Sequence, residues 1–471
     1  VRACMHALAK NSLPASTNAR KKQPTTNTAC QQLPCNRCLT AVFDPTQHTH
    51  RKWIPQRAAP IGAPTPFSSV NNMQQPAVRL TTWNEARDAL RHRDLRQGLY
   101  DEGSALMEGV IVNLHGSDHL ARRRLENRLF RRDTFLQWEQ QLIPQLIDNV
   151  FSQLDDPIEG DMVQIARRTM MRLSSLVAGI DLGADLASFE KMSGLMAKLA
   201  AASTVVHATG NKQDIIDEGN TALNTFLAEY FAASRQRRES LIAQATRGDL
   251  EWSDLPADVL TVLLTNQDNL ELPDHIIARE IAYFPWVGSH STSAALVHAL
   301  HHCFTWESEH NGTLSELATN SALLQRYVHE SLRLHPASPE ATRIATADVD
   351  LPCGVHLPEG TTVVINMVSA NRDPEVFGPT ADTFDPYRST PLHAPRWGLT
   401  FGTGFHACLG QELAGGLGED QQQEMPLYGA IVVMLQSVFQ RGGIPHRTHQ
   451  PELDVATRRP VWKNYPVSFV S

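Results

Sequence analysis

The sequence predicts a mainly α protein with a small β-sheet region, and three observations carry that expectation. Apolar residues recur at helical spacing over most of residues 117–334, with polar turns between the runs. From 348 to 368 the pattern changes to short β-branched runs split by Pro-Cys-Gly and Pro-Glu-Gly turns. A glycine-flanked cysteine, Cys408, then precedes a return to helix, and a short strand is expected near 466–470.

Residues 78–82 read as a strand, and Asn84 as the N-cap of a helix over 85–92. Spacing then predicts helices over 117–130, 135–154, 161–178, 186–202 and 217–246. A long apolar helix follows over 275–306, and another helix over 314–334. Strands at 348–351, 355–357 and 361–368 make a twisted hairpin unit. After Cys408, the glycines at 415, 416 and 418, the polar run 419–424 and Pro426 interrupt any continuous helix. A surface insert is therefore expected there, with helix resuming at Leu427.

With a net charge of −8, the chain is a poor candidate for binding nucleic acid. Its best apolar run, 430–435, falls far short of the ~18 residues that a membrane span needs. A soluble, cytoplasmic monomer with no membrane partner is the expectation. Seven cysteines give no even disulfide framework, and Cys303, Cys353 and Cys408 are spread as in a reducing compartment.

Residues 1–52 read as a polar, basic, disordered tail, with 53–471 as a single domain. The tail has little apolar periodicity and no acid before Asp44, so it cannot bury enough surface to offset its ordering entropy. Its acid-poor, Ser- and Arg-containing character also resembles an organelle transit peptide. Cys30, Cys35 and Cys38 match three ligands of plant-type iron–sulfur spacing, but the next cysteine downstream is Cys303.

Cys408 carries the chemistry. It sits in Phe401-Gly-Thr-Gly-Phe-His-Ala-Cys-Leu-Gly, just ahead of a helix-like run over 409–413. Backbone N–H groups at such a helix start are expected to stabilise a thiolate. Gly402, Gly404 and Gly410 let the backbone turn and approach a flat ligand, and Phe401 supplies an apolar wall. A thiolate held in this way is a suitable axial ligand for heme iron.

The spacing Phe-x-x-Gly-x-x-x-Cys-x-Gly resembles the heme-binding signature of the cytochrome P450 family. Glu330-Ser-Leu-Arg333, then the hairpin unit, then Ala370-Asn-Arg-Asp-Pro and Phe384-Asp-Pro-Tyr-Arg follow that family's order. The resemblance covers roughly residues 75 to 471 and implies the cytochrome P450 fold. It implies heme b (iron protoporphyrin IX) as cofactor, with Cys408 as metal ligand and Phe401, Gly402 and Gly410 shaping the loop. It also implies that Glu330, Arg333 and Arg388 form a buried ion network bracing that loop. His119, Arg123, Arg343 and His406 match the family's partners for the heme propionates.

The long helix contains Phe284-Pro-Trp-Val-Gly-Ser-His-Ser-Thr. Pro285 and Gly288 are expected to loosen the helix locally, leaving room for a water. The register resembles the family's oxygen-activating helix, with His290 in the position of the acid and Ser291 in that of the threonine. Thr292 is next. Either His290 relays a proton, or it bonds a backbone carbonyl while water on Ser291 or Thr292 delivers the proton. Phe284, Val287 and Gly288 are expected to line the substrate pocket, with loops 110–114 and 457–462. His298 and His302, at i and i+4, suggest either a metal pair or histidines placed at a helix C-terminus.

The resemblance implies a monooxygenase, an oxidoreductase that inserts one oxygen atom from O2 into a hydrophobic small molecule. Its electrons would come from a ferredoxin or flavodoxin docked on Arg122, Arg124, Arg128, Arg131 and Arg132, with the insert on that same side. A peroxide-driven peroxygenase, a non-catalytic heme or ligand binder, and an iron–sulfur protein are the other readings.

Overall fold

The computed structural model describes residues 77–470 apart from 155, 157, 209, 419–420, 422–424, 456 and 458. The expected tail and its cysteines lie outside the described residues. After strand β1 (Val78–Leu80), it is Thr82 that starts the first helix, not Asn84. Thr82 Oγ1 accepts from the Glu85 N–H while the Glu85 carboxylate accepts from the Thr82 N–H, and helix α1 runs Trp83–Arg91. This reciprocal box answers two orphan donors where an asparagine answers one.

Strand β2 (Leu95–Gln97) leads to helix α2 (Gly116–Glu126), which is shorter than expected. The helix expected over 135–154 is Arg132–Gln137, a wide π turn Trp138–Leu142, and Ile143–Phe151. Pro144, which cannot donate, follows the wide turn. Strand β3 (Glu159–Asp161) runs straight into α3 (Met162–Ala178), where Asp161 caps the Val163 N–H at 3.0 Å and Gly179 ends the helix at φ 93°. Next comes α4 (Leu186–Ser203), and then α5 (Asp274–Glu309), which remains helical through Pro285. The helix expected over 314–334 is interrupted. A short turn, Thr313–Leu317, precedes α6 (Ser321–Leu334), whose cap is Asn320.

Strand β4 (Glu340–Ala345) was not anticipated. It pairs antiparallel with β7 (Thr362–Asn366) and β2, and β7 pairs parallel with β1, giving the order β1-β7-β4-β2. Strands β5 (Val349–Asp350) and β6 (His356–Leu357) form the small hairpin between them. After α7 (Gln411–Gly415) and α8 (Ala430–Gln440), β8 (Gly443–Pro445) and β11 (Pro466–Phe469) join β3 in a second sheet, while β9 (Glu452–Leu453) pairs with β10 (Trp462–Asn464).

Two apolar cores result. The larger joins α3, α5, α6 and α8, and the smaller lies under the four-stranded sheet around Trp83, Val363, Ile365 and Phe377. Trp83 meets Phe377 edge-on at 5.4 Å, a pairing worth about 0.5–1.5 kcal/mol beyond its buried area. Helix α5 packs most extensively on α3, because Gly288 leaves room for Ser174. A Cβ at 288 would lie 2.9 Å from that of Ser174.

The insert between α7 and α8 leaves and returns at one place. Gly416 and Gly429 abut so closely that a Cβ on Gly429 would collide with the Gly416 nitrogen, and Leu417 N–H donates to the Leu427 carbonyl at 3.0 Å. Glu139, in the wide turn, accepts from the Tyr428 and Gly429 N–H groups at 3.0 and 2.6 Å and so caps the approach to α8. Helix therefore resumes at Ala430 instead of Leu427. Among the described residues no helix is long and apolar enough to cross a membrane.

Candidate active site

The segment leading to Cys408 is fastened from below. Thr400 Oγ1 donates to the Leu332 carbonyl at 2.6 Å, and Asn371 bridges the Arg333 carbonyl and the Leu399 N–H at 3.0 and 2.7 Å. Gly402 and Gly404 take φ +67° and +73°, and any Cβ at 404 would press on Arg91 of α1 at 2.9 Å. Cys408 N–H then closes the loop onto the Phe401 carbonyl at 2.9 Å.

Beneath it, Glu330 is the centre of a buried ion cluster. Arg333 grips it with Nε and Nη2 at 2.8 and 2.6 Å, and Arg388 Nε reaches Oε1 at 3.0 Å. Both guanidiniums spend their other hydrogens on carbonyls of residues 371–383, including Asn371, Phe377, Thr380 and Ala381. All charges are thereby satisfied, as a buried ion cluster requires.

Cys408 is open to solvent even though protein encloses it as fully as it does core side chains. Both are true when a sulfur faces an internal slot. Burial pushes the thiol up, and the Gly410 N–H and the Arg123 guanidinium pull the other way without winning. The expected thiolate is therefore not secured by the following helix, because α7 has only five residues and a weak dipole.

Four basic side chains gather at this slot. His119 and His406 pack ring on ring at 4.2 Å. Burial first, then Arg123 and His115 for His119, and His119 and Arg343 for His406, lowers them to about 4 and about 3, so both rings are neutral. Arg123 lies one turn beyond His119 on α2 and feels the Cys408 sulfur. Arg343, on β4, is 5% exposed and donates to Gln97 Oε1 at 2.8 Å. No carboxylate pairs with it among the described residues, and burial depresses it to about 10. A buried guanidinium without a counter-ion calls for an anion. A heme propionate supplies one, so the donor set fits the group.

On the other side of the slot, α5 borders a cavity of about 340 Å³ with Trp286, Val287, His290, Ser291, Ala294 and Val297. Leu99 and Tyr100, Val163 and Arg167 of α3, residues of α4, and Arg459, Val461 and Trp462 also line it. Phe284 and Gly288 do not line it. Helical rotation turns Phe284 onto Phe130, with ring centroids 6.1 Å apart, and Gly288 onto Ser174. Thr292 is buried on that same outer face, and only Ser291 and His290 of the expected relay reach the cavity. Residues 110–114 do not line it either; Ile111 N–H is instead bound to Glu280 at 2.9 Å.

The expected opening of the helix at Pro285 is absent. Helix α5 is continuous there, and the Pro285 carbonyl accepts from Ser289 Oγ at 2.6 Å and from Ser174 Oγ at 3.0 Å. Ser291 Oγ donates to its own Val287 carbonyl at 2.8 Å. Burial first, then Arg167 and Arg459, lower His290 to about 4.

A family model described as Cytochrome P450 matches residues 313–415, the stretch that holds Glu330, Arg333, Arg343, Arg388 and Cys408. Over that stretch the chain resembles the cytochrome P450 family. It is 26% identical over 315 residues to the Biotin biosynthesis cytochrome P450 of Bacillus subtilis (strain 168), covering 67% of this chain and 71% of that protein. It is also 26% identical to Cytochrome P450(MEG) of Priestia megaterium, over 67% and 69% of the two chains. The rice (Oryza sativa subsp. japonica) Cytochrome P450 714C2 matches more strongly, at 38%, but over only 19% of this chain and 18% of its own length. The crystal structure of P450BioI in complex with hexadec-9Z-enoic acid ligated acyl carrier protein superposes with a TM-score of 0.64 at 19% identity, covering 84% of this chain and 92% of that one. Epothilone D-bound Cytochrome P450epoK gives 0.63 at 19%, over 83% and 91%. These two likenesses establish the shared fold. The family is that of the heme-thiolate monooxygenases.

Arg122 does not belong to the exposed arginine face. It is buried and pairs with Glu280 of α5 at 2.7 Å. Arg124, Arg128 and Arg131 are exposed, and Arg132 Nη2 donates to the Met425 carbonyl of the insert at 2.6 Å. His298 and His302 do not form a metal pair. His335 lies between them, stacked on His298 at 4.3 Å and 2.9 Å from His302 Nε2 to Nε2. No group of three or more potential ligands occurs among the described residues. Sequence reasoning missed Arg167, whose place on a nearly all-buried helix was the available signal.

Proposed function

We propose that this cytochrome P450 hydroxylates a hydrophobic small molecule held in the cavity bordered by His290 and Ser291. The observation that carries the reading is the enclosed but solvent-open Cys408, beside a buried Arg343 that has no carboxylate of its own. Heme b, once bound, supplies oxygen activation with electrons delivered from outside.

The residues divide the remaining work. Cys408 would ligate the iron, with Gly410 N–H on its sulfur and Phe401 walling it. His119, Arg123, Arg343 and His406 would hold the propionates, Arg343 by charge and the neutral histidines as hydrogen-bond donors. Gly402 and Gly404 keep the loop thin where a flat ligand must pass. Ser291 Oγ can turn from its own carbonyl to hold a water, and the neutral His290 ring can take a proton at one nitrogen while releasing one from the other. Trp286, Val287 and Val297 exclude bulk water. Arg124 and Arg128 would dock an acidic ferredoxin-type donor, with the insert beside them at Arg132.

The test is spectroscopic. Reduced protein exposed to carbon monoxide should show the red-displaced Soret band of a thiolate-ligated heme, and Cys408→Ala should lose it. A wild-type protein without that band refutes the reading. One observation favours a peroxide-driven variant of the same chemistry: position 290 carries a neutral imidazole where the family carries an acid. Turnover with peroxide but not with a ferredoxin system would select it.

A further inference from the structure

We propose that the substrate carries an anionic head group, a carboxylate, held between Arg167 and Arg459. The inference rests on the reading above and narrows its substrate class.

Arg167 projects from α3 one turn beyond Val163, and both line the cavity. Arg459 comes from the opposite end of the chain, in the segment before β10, and lines it too. Their charges converge, since both act on the one imidazole of His290. No Asp or Glu is among the described residues lining the cavity. Neither arginine has an ion-pair partner among the described residues. Elsewhere several buried or half-buried arginines are matched by carboxylates: Arg122 by Glu280, Arg238 by Asp258 at 3.0 Å, Arg235 by Glu239 at 2.7 Å, and Arg388 by Glu330. Two guanidiniums left facing a space walled by Trp286, Val287, Val297 and Trp462 describe an amphipathic ligand. Its apolar body fills the cavity and its anion meets the arginines.

Carboxylate is the head group that fits best. A guanidinium receives it with two parallel hydrogen bonds, and two guanidiniums can share its two oxygens. A volume near 340 Å³ is at the small end of ligand pockets, which run roughly from 300 to 1,000 Å³. A monocarboxylic acid with a medium-length chain or compact ring system suits it. Anchoring the acid end also fixes where oxidation falls, because the oxidised carbon is then counted from the carboxylate and not from the far methyl.

The experiment uses the heme-loaded enzyme and four probes: dodecanoic acid, its methyl ester, dodecanol and dodecyl phosphate. Binding is read by the heme spin-state shift and by calorimetry. The acid should bind about ten- to hundredfold more tightly than its ester or the alcohol. Arg167→Gln and Arg459→Gln should each bring the acid down towards the ester while keeping the reduced carbon monoxide band. Acids of increasing length should be oxidised at a constant distance from the carboxyl carbon. If ester and acid bind alike, or both variants keep the preference for acid, the proposal is wrong even though the cytochrome P450 reading stands. If dodecyl phosphate outbinds the acid by tenfold, the carboxylate assignment is wrong. Absence of the carbon monoxide band from the wild type would instead sink the underlying reading.

Discussion

Glu330 Oε1 accepts from Arg388 Nε at 3.0 Å across fifty-eight residues of chain, burying a carboxylate and a guanidinium together beneath the Cys408 loop. Arg388 in turn holds the carbonyls of Phe377, Thr380 and Thr383. The contact therefore ties helix α6 to the irregular segment that leads to the cysteine. Without Arg388, Glu330 keeps Arg333 alone, and the buried carbonyls that Arg388 held lose their donor. Arg388→Ala should destabilise the protein by about 3–5 kcal/mol in chemical denaturation. What still folds should lose heme faster than wild type. A variant with unchanged midpoint and heme content would contradict this bracing role.

Arg343 makes a prediction with opposite signs in the two states of the protein. Without heme it is a buried cation lacking a counter-ion, so Arg343→Met should raise the melting temperature of the heme-free chain, by about 1–3 kcal/mol of stability. With heme, the same change should speed transfer of heme to an acceptor globin. Parallel loss in both states would mean that Arg343 is structural only.

The cluster of His298, His302 and His335 should make stability fall in mild acid. Burial first, then the charge of His301 and, for His302 and His335, of the neighbouring rings and Arg372, lowers these rings to about 4, about 3 and about 2, against an unfolded value near 6.5. Because the folded values are depressed, the unfolded chain binds more protons below pH 6.5. Stability is thus full above pH 6.5 and is lost as the pH falls towards the folded values. By pH 5 the loss is on the order of 2 kcal/mol for one ring. His335→Asn should flatten the dependence of the urea midpoint on pH between 6.5 and 5. An equally steep slope in the variant would exclude the cluster as its source.

The insert should be dispensable for folding and felt by the electron donor. Leu417 and Leu427 are already hydrogen-bonded, so an Asn-Gly turn replacing 418–426 joins them without moving α7 or α8. That removal takes away Glu419, Asp420 and Glu424 and frees Arg132 from Met425. The reduced carbon monoxide band should persist, and the KM for an acidic ferredoxin should fall by about two- to fivefold at low salt. An unchanged KM would place the donor elsewhere.

The parts of the site legible from sequence were those whose chemistry is local. The Cys408 loop, the Glu330–Arg333 pair and the His119–Arg123 turn each lie within one short stretch, where spacing alone sets relative position. Side-chain direction around the long helix was not legible. Phe284 and Gly288 face away from the cavity that Val287 lines, because a helix turns about 100° per residue. Arg122 was assigned to the surface because its partner, Glu280, is distant in sequence. The contact of Ser174 Oγ with the Pro285 carbonyl joins two helices distant in sequence and was not legible for the same reason. Arg167 and Arg459 meet only through the fold.

Because Gly416 and Gly429 touch, the chain between them is a side excursion whose ends need no repositioning when its contents change. A whole electron-carrier module could be spliced there, beside Arg132. A tethered donor works at an effective concentration set by its linkers and not by its expression level. Such a chimera would carry an electron supply on the same polypeptide while leaving the cysteine loop and its supporting ion cluster untouched.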